Sequence, residues 1–524
     1  MVRHILRKDW RLLWPLVAAL AAVQAFIASA RFRAGHFPTF PSVPASLLVL
    51  LAAALVATFV VLQDPIPGAS QDWLVRPVSR RDLFLAKLLF VLAFVQGPWF
   101  VADLLQGVAN GFSFGQSAAA AIYCAVRISL TMTLVVLAFG ALTASMTETL
   151  LAAVGVLAIL IAFLIFPAMA GINDPTALTG FAWVPSLVRA ALLLVAVGGV
   201  LVLQYGWRRT WAARVLFAVA LLAGQSVSFL PWGTTFRLGA LLAGGSAGGA
   251  GVAVAFAPGE GRFRPAAGQR VDDIVEKPGF GPEDVAAENQ RRRAEGARSV
   301  FVPVQVSGLG PDWRLLADRS EVKLIGRDGR FIYQGIGNAL ELRATGPVAT
   351  VHQGIRVPGA VYRRVNAEEV DIQLDYWFTL FLPDGKYSLP ATGGDQRMPG
   401  IGWCATKVDD SGTRILFECL QPGERPPCLA VVVEHMPTRQ HNPEVSLCAP
   451  DYSPYPGHVI PDAISRFGGR LPFYDPSGSI HYPVGGPELP ESRVVVTNFR
   501  PKEHFVRRVV ISAVRLQDWG AEAP

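Results

Sequence analysis

Trp73-Leu74-Val75-Arg76-Pro77-Val78-Ser79-Arg80-Arg81-Asp82-Leu83-Phe84-Leu85-Ala86-Lys87 is a basic, tryptophan-bearing segment set between two long apolar runs. Pro77 favours an extended residue before it and suits the first turn of a helix. From there Val78, Leu83 and Leu85 can pack, while Arg80, Arg81 and Lys87 are expected to stay in water. A basic loop between apolar runs reads as the cytoplasmic handle of a membrane protein, offering a docking surface to a soluble partner.

Outward from this loop the chain divides into two unlike halves near Pro231-Trp232. The averages over 524 residues, 52% hydrophobic and 17% charged with mean hydropathy +0.37, conceal the division. A span needs roughly 20 mostly apolar residues to cross about 30 Å of hydrocarbon. Seven runs before the boundary qualify, on about 12–30, 45–62, 84–105, 120–142, 150–170, 186–205 and 212–230. The basic N-terminus (Arg3, Arg7, Lys8, Arg11), the 63–83 loop and the Arg208, Arg209, Arg214 loop alternate onto one side, which the positive-inside rule makes cytoplasmic. Seven crossings that start inside place the C-terminal half outside. Basic residues, an apolar stretch and Ala28-Ser29-Ala30 also fit a cleaved signal peptide, and cleavage would leave that topology unchanged.

Charge and sulfur bound the function. Of the +7 net charge, the surplus lies before Pro231, with 15 basic and 7 acidic residues against 32 and 33 in the rest. Its cause is attraction to anionic lipid and insertion bias, so no nucleic-acid partner is expected. Cys404, Cys419, Cys428 and Cys448 cluster in the second half, an even set suited to an oxidising compartment, while Cys124 stands alone in a span. With no Asn-x-Ser/Thr sequon, a bacterial inner (plasma) membrane is the expected setting.

The expected architecture is an α-helical polytopic membrane domain over 1–231, a connector with a short helix over 232–299, and an all-β, sandwich-like extracytoplasmic domain over 300–524. The Gly/Ala tract Gly244 to Gly251 is read as connector; an eighth span there would move everything after it inside. Pro282, Glu283 and Asp284, then Arg291 to Arg293 and Gly296, mark one helix. Ser299 to Val306, Val370 to Leu382, Thr413 to Cys419, Leu429 to Glu434, Arg493 to Asn498 and Arg508 to Leu516 read as strands. The turn Gln421 to Pro427 folds the third onto the fourth as a hairpin, which pairs Cys419 with Cys428 and leaves Cys404 for Cys448.

Catalytic patterns lack their context. Gly111-Phe112-Ser113-Phe114-Gly115 and Gly244-Gly245-Ser246-Ala247-Gly248 match G-x-S-x-G without the strand before and helix after that strain a nucleophile. The sequence has neither a Walker A motif nor H-E-x-x-H, so no cofactor is expected in this chain and no enzymatic activity is assigned to it. His435 and His441 between Cys428 and Cys448 invite a zinc reading, but disulfides are the expectation and no metal is assigned. Within the spans, Asp103 and Arg127 can form a charge pair in the outer leaflet, or Arg127 can snorkel to the headgroups; Gly97-Pro98 marks a kink.

The opening segment resembles the region after the second span in ABC-2-type exporter permeases, where a Leu-rich stretch, Pro-Val-Ser-Arg, an acidic residue and a Lys recur in order. The resemblance covers the membrane half only and implies that ATP is hydrolysed by a separate ABC ATPase subunit. It assigns Arg3 to Trp14 to a connecting helix on the inner leaflet and Gln71 to Lys87 to the coupling loop, with Trp73, Arg76, Pro77, Arg80, Arg81 and Lys87 as its contact residues. It also implies a homodimer or heterodimer with another permease, surrounded by membrane lipid. The alternative is a membrane-anchored extracytoplasmic binding or sensing protein without transport activity.

Overall fold

The computed structural model describes residues 1–33, 43–63, 79–169, 183–227, 230–242, 246–247, 251–264, 290, 296, 298–337, 340–343, 348–408, 414–422, 428–439, 441, 444–448, 464–472 and 486–520. Trp73, Arg76 and Pro77 lie outside the described residues, as do nearly all those of the helix expected around Pro282.

The first half is helical: α1 (Val2–Arg33), α2 (Val43–Leu62), α3 (Arg80–Val91), α4 (Gly97–Ala109), α5 (Phe114–Ile128), α6 (Leu134–Ala141), α7 (Met146–Met169), α8 (Trp183–Leu201), α9 (Thr210–Ser226) and α10 (Trp232–Leu242). Among the described residues, three stretches are long and apolar enough to cross a membrane, Val2–Ser29, Arg81–Ala109 and Leu187–Gly206. Val49–Leu62, Met146–Ile159 and Thr210–Ser226 are shorter apolar helices.

Arg3 to Trp14, which the resemblance assigns to a connecting helix, is helical and continuous with the apolar run that follows it. α1 runs unbroken through Pro15 for 32 residues, about 48 Å at 1.5 Å per residue. A buried stripe along its length, Ile5, Asp9, Leu13, Val17, Leu20, Gln24 and Ile27, keeps one face packed at helical spacing.

The helical stretches α3–α4, α5–α6 and the end of α8 each contain one π-helical turn, at Leu92–Gln96, Ser129–Thr133 and Val202–Gly206. Pro98 explains the first. It lacks an N–H and its ring would strike the carbonyl four residues back, and one extra residue in the turn relieves both.

The second half is all β. An eight-stranded sheet runs β13-β12-β15-β8-β4-β5, with β1 beside β15 and β6 beside β4. Its strands are β1 (Ser246–Ala247), β4 (Arg314–Gly326), β5 (Phe331–Ile336), β6 (Leu340–Arg343), β8 (Glu369–Pro390), β12 (Cys428–His435), β13 (Val445–Ser446) and β15 (Ser492–Arg515). One sheet, β2-β3-β7 (Ala253–Phe256, Arg298–Ser307, Val348–Val357), closes a first core on it around Val302, Ile355, Leu374 and Tyr376. Another, β14-β11-β10-β9 (Ile464–Pro472, Arg414–Pro422, Gly402–Val408, Gly394–Met398), closes a second core around Phe417, Val431 and Val496. Two sandwiches therefore share one sheet, and β8 and β15, of 22 and 24 residues, run through both.

The 232–299 tract is more than a connector. β1 pairs with β15 and β2 with β3, so residues before 300 belong to the sandwich, and the Gly/Ala tract contributes Ser246–Ala247 as strand. Arg493 to Asn498 and Arg508 to Arg515, expected within two strands, belong to the single β15, and Leu516 begins a 3-10 turn after it; a register shift between Pro501 and Glu503 absorbs the proline that interrupts the pattern.

The hairpin expectation is overturned. β11 pairs with β10 and β14 in one sheet, β12 with β13 and β15 in another. Cys404 and Cys419 stand directly opposite on β10 and β11, with α-carbons 4.0 Å apart, and are bonded. Cys428 bonds Cys448, with α-carbons 4.1 Å apart. The pairing Cys419–Cys428 with Cys404–Cys448 is thus replaced by Cys404–Cys419 with Cys428–Cys448. The mouth of the supposed hairpin divides two sheets instead of joining two strands.

Among the described residues, the β half contacts the helices at the α4–α5 turn and at α10. Phe112, in the α4–α5 turn, is buried against Leu420, Ile464 and Trp403. Gly111 beside it has φ +82°, and a Cβ there would meet the Trp403 ring at 3.0 Å, so glycine answers both backbone and space. Arg397 donates to Gln116 Oε1 at the same corner. Elsewhere Trp232 and Phe236 of α10 pack with Val184 and Trp377, and the Arg319 guanidinium lies over Trp232, 5.5 Å from the ring centre.

Candidate functional site

The segment that decided the sequence reading starts a helix. Ser79 is extended (φ −69°, ψ 138°) and its hydroxyl accepts from the Asp82 N–H at 3.1 Å, while Asp82 places negative charge in the first turn of α3. Arg81 is exposed. Lys87 is not in water, contrary to expectation. It falls on the face of α3 that carries Leu83, Ala86 and Phe90, and its Nζ donates to Asp9 Oδ2 of α1 at 2.9 Å. The two side chains are 2% and 0% exposed. Around them pack Ile5, Leu83 and Ala86 with Tyr205 from the π turn after α8. Two long helices and the end of a third therefore meet at one buried ion pair. The sequence carried a signal for it: Asp9 is an acid at a stripe position in an otherwise basic N-terminus.

A second buried polar group lies fifteen residues beyond Asp9 along α1, about 22 Å at helical rise. Gln24 of α1 donates to the Val95 carbonyl at 3.1 Å, a carbonyl within the π turn. Gln96, the last residue of that turn, donates to Thr133 Oγ1, in the π turn between α5 and α6. Ser129 Oγ lies 2.7 Å from both Gln96 Oε1 and the Ala125 carbonyl, with one proton to give. Two π turns on neighbouring helices thus face each other through a Gln–Thr–Ser wedge.

Cavities flank the wedge, and Gln96 and Thr133 line both. One, of about 300 Å³, is walled mainly by Leu50, Ala54, Val91, Val95, Trp99 and Val136. The other, of about 550 Å³, is walled mainly by Leu88, Leu92, Phe100, Ile122, Val126 and Leu134. Among the described residues, none that lines either is charged.

Other candidate residues are placed as follows. Asp103 is buried on α4, and Arg127 is half-buried in the last turn of α5. Along their helices the first lies about 10 Å and the second about 20 Å from the turn that joins them. Ser113 caps α5 in a box with Gln116, a structural use of the G-x-S-x-G serine. His435 Nδ1 lies 2.8 Å from Thr438 Oγ1, and both cysteines near it are in a disulfide. Among the described residues no group of three or more His, Cys, Asp or Glu is placed to hold a metal. Asp9, Gln24, Gln96, Ser129 and Thr133 escaped sequence reading.

No family model matches the chain, and no curated protein matches it. Solved structures give slight likenesses. A bacterial adhesin from Mobiluncus mulieris with intramolecular disulfide, isopeptide and ester cross-links is 9% identical, over 42% of this chain and 92% of the adhesin, with a TM-score of 0.11. Red sea bream transglutaminase is 10% identical, over 45% of this chain and 34% of the enzyme, also at 0.11. Neither score carries an argument about fold or function.

Proposed function

We propose that the chain is the permease subunit of an ABC-2-type exporter, driven by a separate ATPase subunit and working as a dimer by alternating access. The carrying observation is the Lys87–Asp9 pair. It gives the family-like segment a mechanical sense, because Ser79 starts α3, Asp82 settles its first turn and Lys87 fastens it to α1. A push on the loop that precedes Ser79 would then move α1 and α3 together. Charge reversal at Arg80 and Arg81 (Arg80→Glu with Arg81→Glu) is expected to abolish stimulation of the ATPase while membrane insertion is unchanged. Unchanged stimulation, or failure to co-purify with any neighbouring ATPase, refutes the reading.

The orientation proposed with it has the N-terminus cytoplasmic, seven crossings and the two sandwiches outside, in keeping with the disulfides. α10, with 11 residues, is about 17 Å long, too short for an eighth crossing. A reporter fused after Pro524 is expected to behave as extracytoplasmic and one fused between Ser70 and Arg81 as cytoplasmic. A cytoplasmic signal at Pro524 would overturn the orientation. The size of the outer half favours one other reading, a membrane-anchored binding or sensing protein, which is what an absent ATPase partner would leave.

A further inference from the structure

We infer that the Gln96–Thr133–Ser129 wedge with its two flanking cavities binds a neutral amphiphile, a molecule with a long apolar chain and a hydroxyl or amide head. As the cargo of an exporter, this assignment rests on the function proposed above; as a binding site it does not.

The lining excludes charged ligands first. Each cavity is walled by aliphatic and aromatic side chains, and its polar atoms come from Gln96 and Thr133 in one and from Gln96, Ser129 and Thr133 in the other. A carboxylate, phosphate or ammonium moved there would lose its water with no opposite charge to replace it, at a cost of several kcal/mol. Strongly hydrated sugars would leave most of their hydroxyls unpaired.

The wedge has hydrogen-bonding capacity to offer a single small polar head. Gln96 Nε2 carries two protons, and the bond to Thr133 uses one. Ser129 has one proton for two acceptors at equal distance, so whenever it turns to the Ala125 carbonyl, Gln96 Oε1 is open to a donor from a ligand. A hydroxyl or amide, which both donates and accepts, satisfies both ends of the Gln96 amide. A hydrocarbon satisfies neither.

Shape agrees. A cavity of about 300 Å³ and a more open groove of about 550 Å³ both border Gln96 and Thr133, so a head at Gln96 leaves room for a chain on either side, and the volumes fall in the range of small-molecule sites, about 300–1,000 Å³. The π turns supply the geometry: the extra residue before Pro98 brings Gln96 onto the buried face that Val95 and Trp99 also occupy. π turns recur at functional sites.

The test uses the full chain in lipid nanodiscs and two photoactivatable probes with the same diazirine-bearing acyl chain, a monoacylglycerol and a free fatty acid. The monoacylglycerol is expected to label peptides spanning 91–100 and 128–136 at least fivefold more than the fatty acid does. It should also label them well above the lipid-facing surface of α7 at Leu150, Leu151 and Val154. Gln96→Leu should lower that labelling about fivefold, the worth of one hydrogen bond of about 1 kcal/mol. If Gln96→Leu disturbs folding, Thr133→Val, which keeps the shape and removes the hydroxyl, serves in its place. Equal labelling by the fatty acid, equal labelling of α7, or labelling unaffected by both variants overturns the assignment. No ATPase takes part, so specific labelling without ATPase coupling would sink the exporter reading and leave the site standing. Coupling with no preference for the neutral probe would do the reverse.

Discussion

Replacing Lys87 by Met, or Asp9 by Asn, is expected to destabilise the helical half by about 3–5 kcal/mol, the usual cost of leaving one partner of a buried pair behind. The pair is nearly sealed, at 2% and 0% side-chain exposure, so water cannot take the place of the missing partner. Asp9→Leu combined with Lys87→Met should recover most of that loss, because two apolar side chains in one packed site leave no orphaned charge. The measurement is the thermal midpoint of the detergent-purified chain, with yield as a second readout. Single variants that melt with the wild type would mean that the site is hydrated. A double variant as stable as the wild type and yet unable to stimulate the proposed ATPase partner would give the pair a role in transmission beyond stability.

Removing the cross-strand disulfide with Cys404→Ala and Cys419→Ala is expected to cost about 3 kcal/mol, the chain-entropy value for a loop near 15 residues. The sequence separation is 15, and both sulfurs lie in the second sandwich core with Phe417 and Ile415. Proteolysis of the intact chain should therefore begin in the four-stranded sheet, sparing the first sandwich. Non-reducing peptide mapping is expected to link Cys404 to Cys419 and Cys428 to Cys448. A Cys419–Cys428 link would restore the hairpin and contradict the sheet order.

Some of this was legible in the sequence. Apolar runs carried the helices, and alternation in Ser299 to Val306 or Val370 to Leu382 carried β3 and part of β8, because both signals are local. β4 and β5 went unread, although Asp328-Gly329 between them is a hairpin signal and Gly329 has φ +77°. Strand partners were beyond reach: β12 pairs with β15, whose nearest residue is more than fifty positions away, while its neighbour in sequence, β11, joins another sheet. Lys87 departs from expectation for a related reason. Its own helix predicts a solvated lysine, and the carboxylate that makes burial tolerable, Asp9, arrives from α1. The wedge was hidden because Gln96, Ser129 and Thr133 become neighbours through π turns, of which Pro98 is the one visible cause.

The seat of Phe112 has a consequence in time. Its socket is made by Trp403, Leu420 and Ile464, and the last of these leaves the ribosome roughly 20–70 s after Phe112 at 5–20 residues per second. Throughout that interval the α4–α5 turn presents a bare phenylalanine, and the socket is finished only once β14 is laid beside β11. Maturation of the helical half therefore waits on the last third of the chain. A nascent protein stalled or clipped before Ile464 would bear an exposed aromatic tag, legible to proteases that survey unfinished membrane proteins.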